Sequence, residues 1–147
     1  MSAAARAGRV WIATSLIVSL AGCQREAPPD LRTELHQILD EIPTVVADPA
    51  RAATVRAAYE KLGNVLVESV DERRELAARW NDLYRRYDTP RQELEDVLAE
   101  NQTSSQRVRM AAIDAREEIR THTTDSEWRA LAKSRKHLAK VYSESRP

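Results

Sequence analysis

Cysteine, glycine and phenylalanine are scarce in this sequence. Its 147 residues include one cysteine, three glycines and no phenylalanine. Because a disulfide needs two cysteines, no disulfide within the chain can hold the fold, and stability has to come from packing. Alanine, leucine, glutamate and arginine dominate instead, which is the composition of long helices rather than of sheets. The sequence therefore predicts an all-α protein.

An excess of charge of either sign is also absent. Lysine and arginine number 23, and so do aspartate and glutamate, so there is no overall attraction to nucleic acid and we expect no nucleic-acid partner. The sequence lacks the motifs of a nucleophile elbow, a phosphate-binding loop, a haem site or a zinc site. We therefore expect no enzymatic activity and no catalytic residue.

The N-terminal 22 residues have the layout of an export signal. Arg6 and Arg9, without any acid, precede an apolar stretch of about a dozen residues at positions 10–21. Such a stretch is too short to span a bilayer of roughly 30 Å as a helix. A basic region followed by a short apolar region is typical of a secretory signal peptide.

The end of this segment indicates which kind of signal it is. Leu20, Ala21, Gly22 and Cys23 stand in the order of the lipobox of bacterial lipoproteins, which this stretch resembles. The resemblance covers only residues 1 to about 24. It implies that the peptidase recognises Leu20, Ala21 and Gly22, that cleavage falls before Cys23, and that the Cys23 thiol carries a diacylglyceryl group. The alternative is an ordinary signal peptide that leaves Cys23 a free thiol, which is unusual in an exported protein.

The resemblance also implies an acylated amino group on Cys23, with palmitate as the typical acyl chain, and a location. Two or three acyl chains hold a protein on a membrane durably, whereas one does so only marginally. The next residue is Gln24 rather than the aspartate that retains some lipoproteins at the inner membrane. We therefore expect the outer membrane, with the protein facing the periplasm. The covalent lipid on Cys23 is the only cofactor expected.

Three segments follow from this interpretation: a signal peptide at 1–22, a short membrane tether at 23–30 and a single α-helical domain at 31–147. Removing the signal leaves 125 residues with 21 basic and 23 acidic side chains, which is enough for one domain with a modest core. The tether sequence at 24–29 reaches ~20 Å when extended. The domain should therefore stay close to the membrane.

Two short helices are predicted near the ends of the domain. The first is capped by Asp30 and carries its apolar residues on one face until Pro43 closes it. The last begins with a capping box, in which Thr124 and Glu127 satisfy each other's backbone groups. These two helices flank a longer central pair.

The second helix is predicted to start at Pro49, after the cap Asp48, and to run to Tyr87. Gly63 is its weak point, because glycine often ends a helix. In the alternative, a new helix opens with a capping box of Ser69 and Glu72. We favour continuity, since one interior glycine costs only about 1 kcal/mol.

The third helix is predicted to take Thr89 as its cap and Pro90 as its first residue, and to end near residues 121–124. Two long helices joined by so short a turn should form an antiparallel, coiled-coil-like hairpin. The predicted contact seam of the third helix includes Leu98, Asn101 and Ser105 among apolar residues. An asparagine in such a seam more often fixes the register than performs chemistry.

Asp114, Glu118 and His122 form the one candidate metal site. Their spacing by four places them on one helix face, where they could offer two oxygens and one nitrogen to a divalent cation. The alternative is a solvated face on which Glu118 and His122 form a pair. The sequence contains no second cluster to complete a coordination shell.

Two functions remain compatible with the sequence. In the first, a lipid-anchored helical protein acts as a structural or protein-interaction module of the cell envelope, with one envelope protein as its partner. In the second, it is a periplasmic chaperone-like or metal-binding stress module. A homodimer is possible in either case, because a strongly charged hairpin with few large apolar residues could use a second copy to bury its seam.

Overall fold

The structure is a computed structural model that describes residues 30–145. In this range the backbone forms helices and no strand, which confirms the predicted all-α class. The five helices in chain order are α1 (Leu31–Val45), α2 (Pro49–Arg85), α3 (Arg91–Thr121), α4 (Asp125–Ala130) and α5 (Ala132–Glu144).

The 37-residue helix α2 is continuous through Gly63 as predicted, and α1 and α3 both pack on it. Asp48 caps its start by accepting from the Arg51 amide at 2.8 Å, and Pro49 follows. Ser69 does not open a new helix. Its hydroxyl is fully buried, donates to the Leu66 carbonyl at 2.8 Å and lies 3.1 Å from the Tyr142 hydroxyl of α5.

Helix α1 continues past Pro43 to Val45, so the prediction that Pro43 ends it is wrong. A proline inside a helix leaves the carbonyl four residues earlier without its amide partner. Here that carbonyl belongs to Leu39, and the Arg56 guanidinium of α2 donates to it at 3.1 Å. A partner from the neighbouring helix therefore satisfies the carbonyl that Pro43 leaves open.

Helix α1 runs antiparallel to α2, with Leu35 beside Gly63 and Leu39 beside Arg56. An ideal Cβ at Gly63 would lie only 2.1 Å from Leu35 Cδ2 and 2.9 Å from Leu35 Cγ. Because real side-chain carbons do not approach so closely, glycine is required for α1 to lie against α2 at this distance.

The turn between α2 and α3 differs from the prediction. The N-cap of α3 is Pro90, and no side chain caps this helix. Thr89 instead donates its hydroxyl to the Leu83 and Arg86 carbonyls, so it satisfies the end of α2, which stops at Arg85 rather than Tyr87. Threonine can serve either helix because its hydroxyl both donates and accepts.

The predicted capping box of Thr124 and Glu127 is confirmed, with the Glu127 carboxylate accepting from the Thr124 amide at 2.7 Å. Glu127 also accepts from the Arg51 guanidinium at 2.7 and 3.1 Å, which links α4 to the start of α2. Hydrogen bonds from Arg51 and then from Thr124 lower the pKa of Glu127 to about 2. The predicted last helix is divided at Leu131, which is fully buried, into α4 and α5.

The described residues contain two separate apolar clusters. The larger one joins α1, α5, the first half of α2 and the second half of α3, and it includes no α2 residue beyond Val70 and no α3 residue before Val108. The smaller one consists of Leu76, Leu83 and Val97, with Trp80 and Leu94 against it. Residues 72–107, named here the projecting hairpin, therefore have a two-helix core of their own.

Replacing Gly63 by alanine should destabilise the protein although alanine favours helix. The new methyl group collides with Leu35, and overpacking of this kind costs about 1–3 kcal/mol. In a Leu35→Ala background the collision is gone, so the same replacement should stabilise by up to ~1 kcal/mol. Urea unfolding of the four proteins measures both effects. Equal destabilisation in the two backgrounds would show that the Leu35 contact is not the constraint.

Candidate interaction surface on the projecting hairpin

One side of the hairpin carries three ion pairs at regular intervals. Each successive pair lies seven residues further along α2 and seven residues back along α3. They join Glu72 to Arg107 at 2.5 Å, Arg79 to Glu100 at 2.6 Å and Arg86 to Glu93 at 2.7 Å.

This spacing is that of an antiparallel coiled coil, in which charged residues flank an apolar seam every seven positions. Both side chains of each pair are about one-third exposed or more, so solvent screens the charges and each pair contributes little to stability. Their common register indicates that they fix how the two helices slide past each other. They leave little charge unpaired on this side.

Ser104, rather than the predicted Ser105, is the buried polar residue of the α3 seam. Its hydroxyl donates to the Glu72 carboxylate at 2.7 Å, next to the Arg107 guanidinium. Hydrogen bonds from Arg107 and then from Ser104 hold the pKa of Glu72 below its usual value. Opposite charges at 72, 79 and 86 and at the paired positions 107, 100 and 93 are present in the sequence and could have identified this side of the seam.

The other side of the hairpin exposes large apolar side chains. We name this set the aromatic stripe; it consists of Trp80, Tyr84, Tyr87, Leu94 and Leu98. Tyr84 is 77% exposed, Tyr87 107% and Leu98 53%, while Trp80 and Leu94 are half-buried. The steps from 80 to 84 on α2 and from 94 to 98 on α3 are single helical turns, so each pair lies on one helix face.

A shallow groove of about 360 Å³ runs between the two helices on this side, with Trp80 on one wall and Leu98 on the other. The predicted seam of α3 therefore faces partly outward: Leu98, Asn101 and Ser105 are exposed. Asn101 does not fix the register from within the seam, because the buried positions are Val97, Ser104 and Val108. Periodicity alone placed the seam about one residue away from its true position.

The three candidate metal ligands lie on α3 and its C-terminus, outside the projecting hairpin. His122 Nδ1 is 3.5 Å from a Glu118 carboxylate oxygen and 2.9 Å from the Glu118 carbonyl. Asp114 lies two turns earlier, ~12 Å along the axis from His122. Between residues 30 and 145 no group of three or more histidine, aspartate or glutamate side chains is placed to hold a metal ion. The pairing of Glu118 with His122 is the arrangement that the structure shows.

The predicted lipidation residue Cys23 and the recognition residues Leu20, Ala21 and Gly22 lie outside the described residues. The lipid anchor therefore stays a prediction from the sequence. Among the helices that the structure does describe, none is both long enough and apolar enough to cross a membrane.

Comparison with models of protein families, with curated proteins and with solved structures gives no match. The functional argument therefore depends on the residues of this chain.

Truncating Leu83 should reduce stability far more than truncating its neighbour Tyr84. Leu83 is 8% exposed in the small cluster, so Leu83→Ala should cost about 2 kcal/mol or more. Tyr84 is largely exposed, so Tyr84→Ala should change the free energy of unfolding by less than ~0.5 kcal/mol. Urea unfolding followed by circular dichroism measures both. A comparable loss for Tyr84→Ala would mean that the stripe serves the fold rather than a partner.

Proposed function

We propose that the protein is a lipid-anchored, periplasm-facing interaction module of a bacterial cell envelope, and that it binds one partner protein through the aromatic stripe. Support for the anchor comes from the lipobox-like residues that end at Cys23 and from the export-signal layout before them. Gln24 favours the outer membrane over the inner one. Support for the interaction comes from the two unlike sides of the projecting hairpin.

The exposure of the stripe is the observation that carries the interaction. Large apolar side chains that are exposed together on a small domain mark a binding surface more often than chance exposure does. Trp80 and Leu98 line a groove between the two helices and Tyr84 is exposed one turn from Trp80, while the opposite side carries the three ion pairs. Aromatic residues are enriched at the centres of protein interfaces, and charged ones are depleted there.

The shape of the groove suits an apolar helix or an extended apolar segment. An amphipathic helix that packs into such a groove places residues three and four apart against it. The partner would cover Tyr84 and Leu98 and complete a third side of the two-helix core formed by Leu76, Leu83 and Val97. Binding and local stabilisation of the hairpin would then be coupled.

The anchor is tested by Cys23→Ser in cells. Without the thiol no diacylglyceryl group can be attached, so an unprocessed precursor of higher mass should accumulate. Mass spectrometry of the product and fractionation of the membranes measure this. Release of a normally cleaved, soluble chain of 125 residues would overturn the anchor without affecting the stripe.

The stripe is tested by a photo-crosslinking amino acid at position 98, with position 100 as the matched control on the opposite side of α3. Both native side chains are about half exposed. We expect one dominant adduct from position 98, which Tyr84→Ser should weaken, and none from position 100. A similar adduct from both positions would contradict the stripe as the binding surface.

The alternative of a chaperone-like module gives a different result in the same experiment. Position 98 would then yield many adducts of unrelated masses, and the purified protein would suppress aggregation of unrelated clients at near-stoichiometric amounts. A single partner with no such suppression would favour the interaction module.

A further inference from the structure

The groove beside the aromatic stripe is apolar at one end and polar at the other. Trp80 and Leu98 stand on opposite walls at its apolar end, toward the tip of the projecting hairpin. Arg73 and Ser105 stand on opposite walls at its polar end, toward the bundle, where the Arg73 guanidinium donates to the Ser105 hydroxyl at 3.3 Å. On each helix the two ends are two turns apart, which is ~10 Å along the axis.

The polar end carries positive charge without an acid. No aspartate or glutamate of the described residues lines this groove, whereas glutamates and arginines together line the hollow on the opposite side of the hairpin. Arg109 is exposed and follows Ser105 by one turn of α3, so it lies on the same helix face. It also lines a separate groove formed by α2, α3 and α5. Among residues 30–145 neither Arg73 nor Arg109 forms an ion pair.

Arg73 is held in position to bind a carboxylate. Its guanidinium lies 5.5 Å from the centre of the Tyr142 ring of α5, which is a cation–π distance. Its Nε is enclosed, but the terminal nitrogen that contacts Ser105 lies at the groove, because Ser105 is exposed. The Ser105 hydroxyl accepts from Arg73, so its own hydrogen can be donated to a ligand. A cation held in this way loses less conformational entropy on binding.

A helix is the partner segment that fits this arrangement. The α2–α3 ion pairs show that the two helices are antiparallel, and a third helix can lie along the seam between them. Residues two turns apart lie on one face of such a helix, at the separation of the two ends of the groove. The small Ala77 and the polar Asn101 lie between these ends and leave room for the helix to approach.

We propose that the partner segment bound by the aromatic stripe is an amphipathic helix that carries an acidic residue two turns from an apolar one. The apolar residue packs between Trp80 and Leu98. The carboxylate accepts from Arg73 and from Ser105, and Arg109 adds positive charge beside it. This inference depends on the proposed function, because it names the chemistry of the segment that the stripe binds.

Synthetic helical peptides of about 18 residues, long enough to span the groove, are the probes. Each carries leucines on one face and a glutamate two turns from the central leucine. One version places the glutamate before this leucine and the other after it, because the groove accepts a helix of either direction. Each has a counterpart with glutamine in place of the glutamate.

Isothermal titration of the purified protein should show one glutamate peptide binding about tenfold more tightly than its glutamine counterpart, since hydrogen bonds between charged groups are the stronger ones. Equal affinity within both pairs of peptides, or no binding of any of them, would overturn the proposal.

Variants of single arginines locate the carboxylate. Arg73→Gln should remove the preference for glutamate and leave binding of the glutamine peptide unchanged, whereas Arg73→Lys should retain most of the preference because it keeps the charge. Arg116→Gln is the matched control, since Arg116 is an exposed α3 residue outside the groove with no ion pair among residues 30–145. A preference that survives Arg73→Gln, or that falls equally in Arg116→Gln, would refute the site.

Crosslinking from position 98 in cells separates this inference from the function on which it depends. The dominant adduct should weaken in Arg73→Glu and persist in Arg116→Glu. An adduct that Arg73→Glu leaves unchanged would overturn the acidic contact and keep the stripe as the interface. Absence of any adduct from position 98 in the otherwise native protein would overturn both.

Discussion

The contact between Leu35 and Gly63 sets the geometry on which the rest of the bundle depends. With only hydrogen at the Gly63 Cα, α1 can lie against the middle of α2 without breaking it. Arg56 then reaches the Leu39 carbonyl, which lets α1 continue through Pro43. Helix α5 packs on α1, with Ser134 donating to Glu41 at 2.6 Å, so its place also follows from that contact.

Beyond this bundle, α2 and α3 are stabilised only by each other. A two-helix core of three buried apolar residues is small, and the register of the ion pairs compensates by excluding alternative alignments of the helices. The three ion pairs lie on one side of the hairpin, and Tyr84 and Leu98 are exposed on the other. Because the ion pairs fix the register from one side, the hairpin keeps a defined structure while the apolar side chains on its other side stay exposed for binding.

The sequence predicts the helices better than it predicts what their side chains contact. Continuity at Gly63 and the capping box at Thr124 depend on local backbone energetics, which neighbouring residues determine. The helix end expected at Pro43 was wrong because its missing hydrogen bond is supplied by a residue of another helix. The groove lined by α2, α3 and α5 could not be predicted at all, since its walls come together only when the three helices are placed against each other.

The antiparallel packing of α1 on α2 also determines where the domain begins. Asp30 and Leu31 line one hollow with Val70 and Arg74, at the base of the projecting hairpin. The chain therefore enters the domain at the end of the bundle from which the hairpin extends. From there the hairpin reaches ~20 Å further along α2, about the same as the reach of an extended tether. If Cys23 is acylated as proposed, the tip of the hairpin and the acyl chains can lie level with each other. The tip of the hairpin would then lie next to lipid headgroups and membrane-proximal protein rather than in the open periplasm.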